Sequence, residues 1–159
     1  MPVSRKKPPP LPPSIAAAPP ACACGRMRRA ARALTQLYDD LMAPSGLRIT
    51  QFSLMRALSR NGPTRITQLA AIQLLDRTAL SRNLDPLVER GHVAIVRGRD
   101  ARSREVALTP AGVAALKAAE PYWRKAQKEV TRRIGADKLE ALVSTLEALE
   151  SLHPSNVPA

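Results

Sequence analysis

Aromatic side chains are nearly missing from this chain: Tyr38, Phe52, Tyr122 and Trp123 are all there are in 159 residues. A surface that grips RNA or single-stranded nucleic acid by stacking needs exposed rings, and four rings that also have a core to fill do not supply one. Histidine is as scarce, with His92 and His153 alone. Neither stands near a cysteine in sequence and no glycine-rich phosphate loop is present, so nothing points to an enzyme, a nucleotide site or a bound cofactor. Cysteine is confined to Cys22 and Cys24, which is no disulfide framework for a secreted domain. No apolar run approaches the roughly 20 residues of a membrane helix. The stretch IAAAPPACA behind the basic start is short and broken by proline, unlike the apolar core of a signal peptide. A cytoplasmic protein is expected. Acids are also in short supply, 13 against 25 lysines and arginines, for a formal net charge of +12. That balance favours a polyanionic partner, most commonly nucleic acid.

What is present falls into an arm and one domain. Residues 1–20 hold eight of the fifteen prolines and no apolar period, which predicts a disordered, proline-rich basic arm carrying Arg5, Lys6 and Lys7. Residues 21–159 are enough for one core and not for two.

The domain is organised around Thr64–Gly112. Two short helices are expected there, the first capped by Thr64 with Ile66, Leu69 and Ala70 inward. The second is capped by Asp76, with Leu80, Leu84, Leu87 and Val88 inward, and Pro86 is expected to kink its rear half. Val93–Val96 and Glu105–Leu108 then read as a hairpin with a charged tip. Between Arg77 and Arg104 there are seven arginines against three acids. A helix-turn-helix followed by a basic hairpin is the layout of a winged-helix reader of double-stranded DNA.

Outside this lobe the apolar residues step by three and four, as in amphipathic helices. Met27, Ala30, Ala31, Leu34, Leu37, Tyr38 and Leu41 define the first, ended by Pro44 and Gly46. Thr50 is the expected cap of a helix to Arg60 that buries Phe52, Met55 and Leu58. Thr109-Pro110 starts a long helix on the stripe Val113, Leu116, Trp123, Ala126, Val130, Ile134, with a bend at Pro121. Asp137 and Glu140 are placed to form a capping box for a last helix carrying Leu139, Leu142, Val143, Leu146, Leu149 and Leu152. The fold class expected is therefore mainly α with a small β-hairpin wing: a winged helix-turn-helix lobe over 64–109, with dimerisation helices over 24–43 and 110–152. The flanking stripes exceed what so small a lobe can cover, which predicts a symmetric homodimer.

Arg77, Thr78, Ser81 and Arg82 share one face of the second lobe helix, flanked by Asn83. Arginine pairs with guanine, asparagine with adenine, and a threonine methyl touches that of thymine. Arg65 and Gln68 on the preceding helix are expected to hold the DNA backbone. Arg97, Arg99, Arg102 and Arg104 surround the wing tip, where Asp100 is expected to pin Arg102 or Arg104 by an ion pair. A solvated polar face is the plain alternative, and a basic architectural protein binding DNA by charge alone is another.

Cys22 and Cys24 precede the first helix beside Arg26, Arg28 and Arg29, the setting of a redox-sensing thiol. A bridge between them would be strained, so a disulfide to the partner subunit is the oxidised product expected. Two thiolates also suit a soft metal, giving a metal-responsive regulator as a further alternative, although two ligands do not fill a tetrahedral site. Two small residues in an arm is the bland reading. No resident metal is expected. Tyr38, Phe52, Tyr122 and Trp123 are the only rings that can line a ligand crevice, with Arg32 or Arg56 to meet an acid, and plain core packing fits them as well.

Asp76-Arg77-Thr78-x-Leu80-Ser81-Arg82-Asn83-Leu84 with Leu87-x-x-Arg90-Gly91, then Asp100-x-Arg102 and Leu108-Thr109-Pro110-Ala111-Gly112, resembles the signature of the MarR family of bacterial transcription regulators. The similarity spans residues 24 to 152. It implies a helical dimer with two winged-helix lobes on a palindromic operator, usually a repressor. Release of the DNA by a small aromatic acid or an oxidant is implied too, as is the Arg102 side chain in the minor groove. The direction of regulation, the operator and the inducer are not written in the sequence.

Overall fold

The computed structural model describes residues 22–98 and 104–153. The proline-rich arm and the hairpin tip, with Arg99, Asp100 and Arg102, lie outside the described residues.

Helix α1 (Ala23–Met42) comes first. The chain divides into two compact units at Leu34, within this helix. The first unit holds the front of α1, an exposed basic segment with Arg26, Arg28, Arg29 and Arg32. The second unit begins at Thr35 and contains everything else. A 3-10 turn (Ala43–Ser45) closes α1 on Gly46, whose φ of 73° is the left-handed conformation the turn needs. Helix α2 (Ile49–Asn61) follows, then strand β1 (Thr64–Arg65), helix α3 (Ile66–Ile72) and helix α4 (Arg77–Glu89). Strands β2 (Val93–Arg97) and β3 (Arg104–Leu108) make the wing, and helices α5 (Pro110–Ile134) and α6 (Ala136–Glu150) complete the chain.

Three helix starts depart from the sequence expectation. Thr50 does not cap α2; Arg48 is the cap position. The job passes to Asp39 of α1, whose Oδ1 accepts from the Ile49 amide at 2.8 Å, while Gln51 Oε1 takes the Arg48 amide at 3.1 Å. Thr64 does not cap α3 either. β3 offers it a ladder, so Thr64 pairs with Val106 and Arg65 with Glu105. The wing is thus a three-stranded antiparallel sheet in the order β1-β3-β2, not a two-stranded hairpin. Asp137 and Glu140 form no capping box. Gly135 both ends α5 and begins α6, and no side chain caps the joint. Asp137 sits in the first turn, where its charge still meets the positive end of the helix.

Two caps are as expected. Asp76 Oδ1 accepts from the Ala79 amide at 2.8 Å, and Thr109 Oγ1 accepts from the Gly112 amide at 3.0 Å. The core of the second unit gathers Met42, Leu47, Phe52, Leu54, Met55 and Leu58 with Leu69, Leu80, Leu87, Val93 and Val106. It joins α2 to the winged lobe, so α4 and the wing strands share one core with it. Val88 and Val113, expected inside, are exposed, while their neighbours Leu87 and Gly112 are buried, so both valines fall off the core-facing side of their helices. Helix α6 buries no residue at all.

Candidate nucleic-acid interface

Asp76 fixes where α4 begins, and the face that follows is set by helical geometry. Leu80, Leu84 and Leu87 anchor one side in the core. Positions 77, 78, 81 and 82 then point away together, and Arg77, Thr78, Ser81 and Arg82 are all exposed. The cations lie toward the front of the helix, while the acids Asp85 and Glu89 lie toward its rear, both exposed. A polyanion therefore meets the first two turns more favourably than the last.

Asn83 does not belong to this face. It is half-buried, its Nδ2 donates to the Ala79 carbonyl at 2.8 Å, and it lines a cavity with Thr35, Thr50 and Leu75. One of the two N–H donors of its carboxamide is thereby held on its own helix.

Arg65 and Gln68 are exposed at the start of α3, and β1 holds Arg65 opposite Glu105. In the wing Arg97 and Arg104 are exposed and stand directly opposite each other in the β2–β3 register. Like charges facing across a ladder repel, and among the described residues neither has an ion-pair partner. An anion between them removes that cost.

On the scaffold side, a cavity of about 550 Å3 is lined by Phe52, Arg56, Arg60, Ile72, Leu74 and Trp123 among others. The Arg56 guanidinium carbon lies 4.3 Å from the Trp123 ring centre and 5.7 Å from that of Phe52. The two rings stack at 5.8 Å with 23° between their planes. Leu74, in the turn between α3 and α4, has φ of 48°. This left-handed setting strains a branched residue by on the order of 1 kcal/mol or more. Tyr38 is not part of this cavity: its hydroxyl donates to Gln127 Oε1 at 2.8 Å between α1 and α5, and burial raises its pKa. Tyr122 packs on the core. Arg32 is exposed in the first unit. Arg60, Ile72 and the strained turn had no sequence signal, since they meet Trp123 only through the fold.

Cys22 and Cys24 are both exposed and unbridged. Among the described residues no group of three or more His, Cys, Asp or Glu is placed to hold a metal ion. No helix among them is long and apolar enough to cross a membrane.

The MarR family model matches residues 45–103. The structure of the transcriptional regulator MosR from M. tuberculosis in complex with DNA is 41% identical, with 82% of this chain and 98% of that chain covered and a TM-score of 0.71. The chain belongs to the MarR family. MosR solved without DNA gives 38% identity, 82% and 96% coverage and a TM-score of 0.70. The transcriptional repressor CouR bound to a 23-mer DNA duplex gives 27%, 80% and 92% coverage and a TM-score of 0.73. Among proteins of curated function none matches. As a MarR-family member the chain is a DNA-binding transcriptional regulator and not an enzyme.

Proposed function

We propose that this MarR-family regulator binds a palindromic operator as a homodimer, represses the adjacent genes, and lets go on a chemical signal. The exposed front face of α4 carries the reading: Arg77, Thr78, Ser81 and Arg82 are held by a capped helix on the shared core. Arg77 and Arg82 read guanine edges and Thr78 a thymine methyl. Arg65, Gln68, Arg97 and Arg104 hold phosphates on either side. Arg99, Asp100 and Arg102, which lie outside the described residues, belong to the same proposed DNA site, with Arg102 assigned to the minor groove by the family resemblance.

The test is fluorescence anisotropy on the chain's own upstream DNA against scrambled DNA at fixed salt. A large specificity ratio is expected. Equal affinity for every duplex, in a random-pool selection as well, would leave only charge-driven architectural binding.

Two signals have an observation behind them. The cavity beside the helix-turn-helix places a cation on an aromatic platform, which suits a small planar acid. CouR has also been solved with p-coumaroyl-CoA bound, at 26% identity with 80% of this chain and 91% of that one covered and a TM-score of 0.73. A ligand there touches the strained Leu74 turn immediately ahead of α4. The second signal is oxidation of Cys22 and Cys24, which stand exposed at the start of α1. Two thiols, one from each subunit, would give two electrons and two protons to a peroxide, forming one disulfide while the peroxide leaves as water. Anisotropy repeated after peroxide, after thiol rescue, and on the Cys22→Ser/Cys24→Ser variant separates them. Loss of binding that survives in the double variant would remove the thiols from the mechanism.

A further inference from the structure

Helix α1 changes sign along its length. Arg26, Arg28, Arg29 and Arg32 are all exposed in its front part, and no acid occurs from residue 22 to residue 38. Asp39 and Asp40 come only afterwards, about 10 Å beyond Arg32 along the axis. Both are engaged: Asp39 Oδ1 accepts from the Ile49 amide at 2.8 Å, and Asp40 Oδ1 from the Gln36 side chain at 2.7 Å. Among the described residues none of the four arginines has an ion-pair partner.

At 3.6 residues per turn the four arginines span about 160° of the helix circumference, with Met27, Ala30, Ala31 and Leu34 within about 100° on the other side. Met27 and Leu34 are half-buried, and the exposed members of the apolar side are the two alanines. A helix that lies in a lipid surface inserts tryptophan, phenylalanine or leucine. Alanine offers too little area for that, so charge is what this segment presents. From Arg26 to Arg32 is about 9 Å, and duplex DNA carries roughly five phosphate charges over that length, both strands counted. The arginine fork also matches phosphate in shape.

We propose that the front of α1 is a further, sequence-blind contact with duplex DNA, made on the flanks of the operator that α4 reads. None of its residues belongs to the helix-turn-helix or the wing, so the contact goes beyond the proposed function. Once α4 has docked, the flanks of the same duplex are at high effective concentration for α1, and a contact too weak to hold free DNA adds to the binding. Its driving force is counterion release, which raises affinity without reading bases.

The full chain is titrated by fluorescence anisotropy across a salt series on two duplexes, each with a scrambled counterpart. One is the operator trimmed to its protected bases. The other carries about 15 further base pairs, or about 50 Å, at each end. The parent is expected to bind the long duplex at least about tenfold tighter at low salt, with a steeper dependence of log affinity on log salt. Longer DNA attracts any cationic protein, so the decisive quantity is the part of this gain that a variant loses. Arg28→Gln/Arg29→Gln/Arg32→Gln is expected to lose most of it and to flatten the long-duplex slope by about 0.9 for each phosphate released. Its affinity for the trimmed operator and its specificity ratio should stay at the parent's values, which also shows it folded. Arg28→Lys/Arg29→Lys/Arg32→Lys keeps the charge and is expected to keep most of the gain. A glutamine variant with the parent's long-duplex affinity and slope would overturn the proposal, as would a parent that gains nothing from the flanks. A lysine variant as weak as the glutamine one would overturn it too, since charge would not be the agent. Binding of the parent to phosphatidylglycerol vesicles without a flank gain would give the face to a membrane surface instead. Equal affinity for the trimmed operator and its scrambled counterpart would defeat base reading by α4, while the flank gain is still read on both.

Discussion

Gly112 lies against the carbonyl of His92, so closely that a β-carbon at 112 would sit 1.9 Å from the oxygen and 2.9 Å from the carbon. Withdrawing the carbonyl would stretch the bond it accepts from the Thr109 amide at 3.1 Å. This contact ties the start of α5 to the link between α4 and the wing. Gly112→Ala is expected to destabilise by roughly 1–3 kcal/mol through overpacking, seen as about 2–4 °C of melting temperature per kcal/mol. Gly25→Ala is the control, because its β-carbon would meet only the Cys22 β-carbon at 3.9 Å. An unchanged melting temperature for Gly112→Ala would mean that α5 and the wing are not locked together.

The cap of α4 gives a second prediction. Asp76 Oδ1 holds the Ala79 amide at 2.8 Å, and its charge sits at the positive end of the helix. Asp76→Ala should cost about 1 kcal/mol, and Asp76→Ser or Asp76→Asn much less. Chemical denaturation measures this, and equal losses for all three would show that the capping bond contributes nothing.

Acid titration gives a third. The Arg132 and Arg133 guanidiniums hold the Glu129 carboxyl at about 2, well below its ordinary 4.5. A folded-state value below the unfolded one means the stabilisation is present above the unfolded value. It is lost as pH falls from about 4.5 through about 2. The melting-temperature gap between the parent and Glu129→Gln should therefore be widest near neutral pH and close over that acid window. Because the group is open to solvent, added salt should narrow the gap too. A gap that stays constant with pH would contradict the pairing.

Helix periods, the Asp76 and Thr109 caps and the exposed basic face of α4 are legible in the sequence because each depends on residues within a turn or two of one another. The strand at Thr64 is not: it exists only because β3, some forty residues on, presents Val106 and Glu105 as ladder partners. Asp39 capping α2 from another helix is hidden for the same reason. Asn83 looks available from its position, yet its amide turns back on Ala79. The ring set is divided by the fold, with Phe52 and Trp123 in the cavity beneath Arg56 and Tyr38 bound to Gln127. The absent Asp137–Glu140 capping box and the exposed Val88 and Val113 are local departures, whereas β1 and the Asp39 cap are long-range contacts that no local pattern encodes.

The DNA face yields the last prediction, because its two halves act by different physics. Arg82 is exposed on α4 and is proposed to meet a base edge, whereas Arg97 and Arg104 face each other across the wing ladder and are proposed to hold phosphate. Arg82→Ala should cost about 1–3 kcal/mol on the operator and little on scrambled duplex, so the specificity ratio falls. Arg97→Ala/Arg104→Ala should weaken both DNAs alike. It should also flatten the dependence of log affinity on log salt by about 0.9 for each phosphate no longer neutralised. A salt series of anisotropy titrations on both duplexes separates the two. If Arg82→Ala lowered the salt slope and left the ratio intact, that arginine would be holding phosphate, and base reading would pass to Arg77 and Thr78.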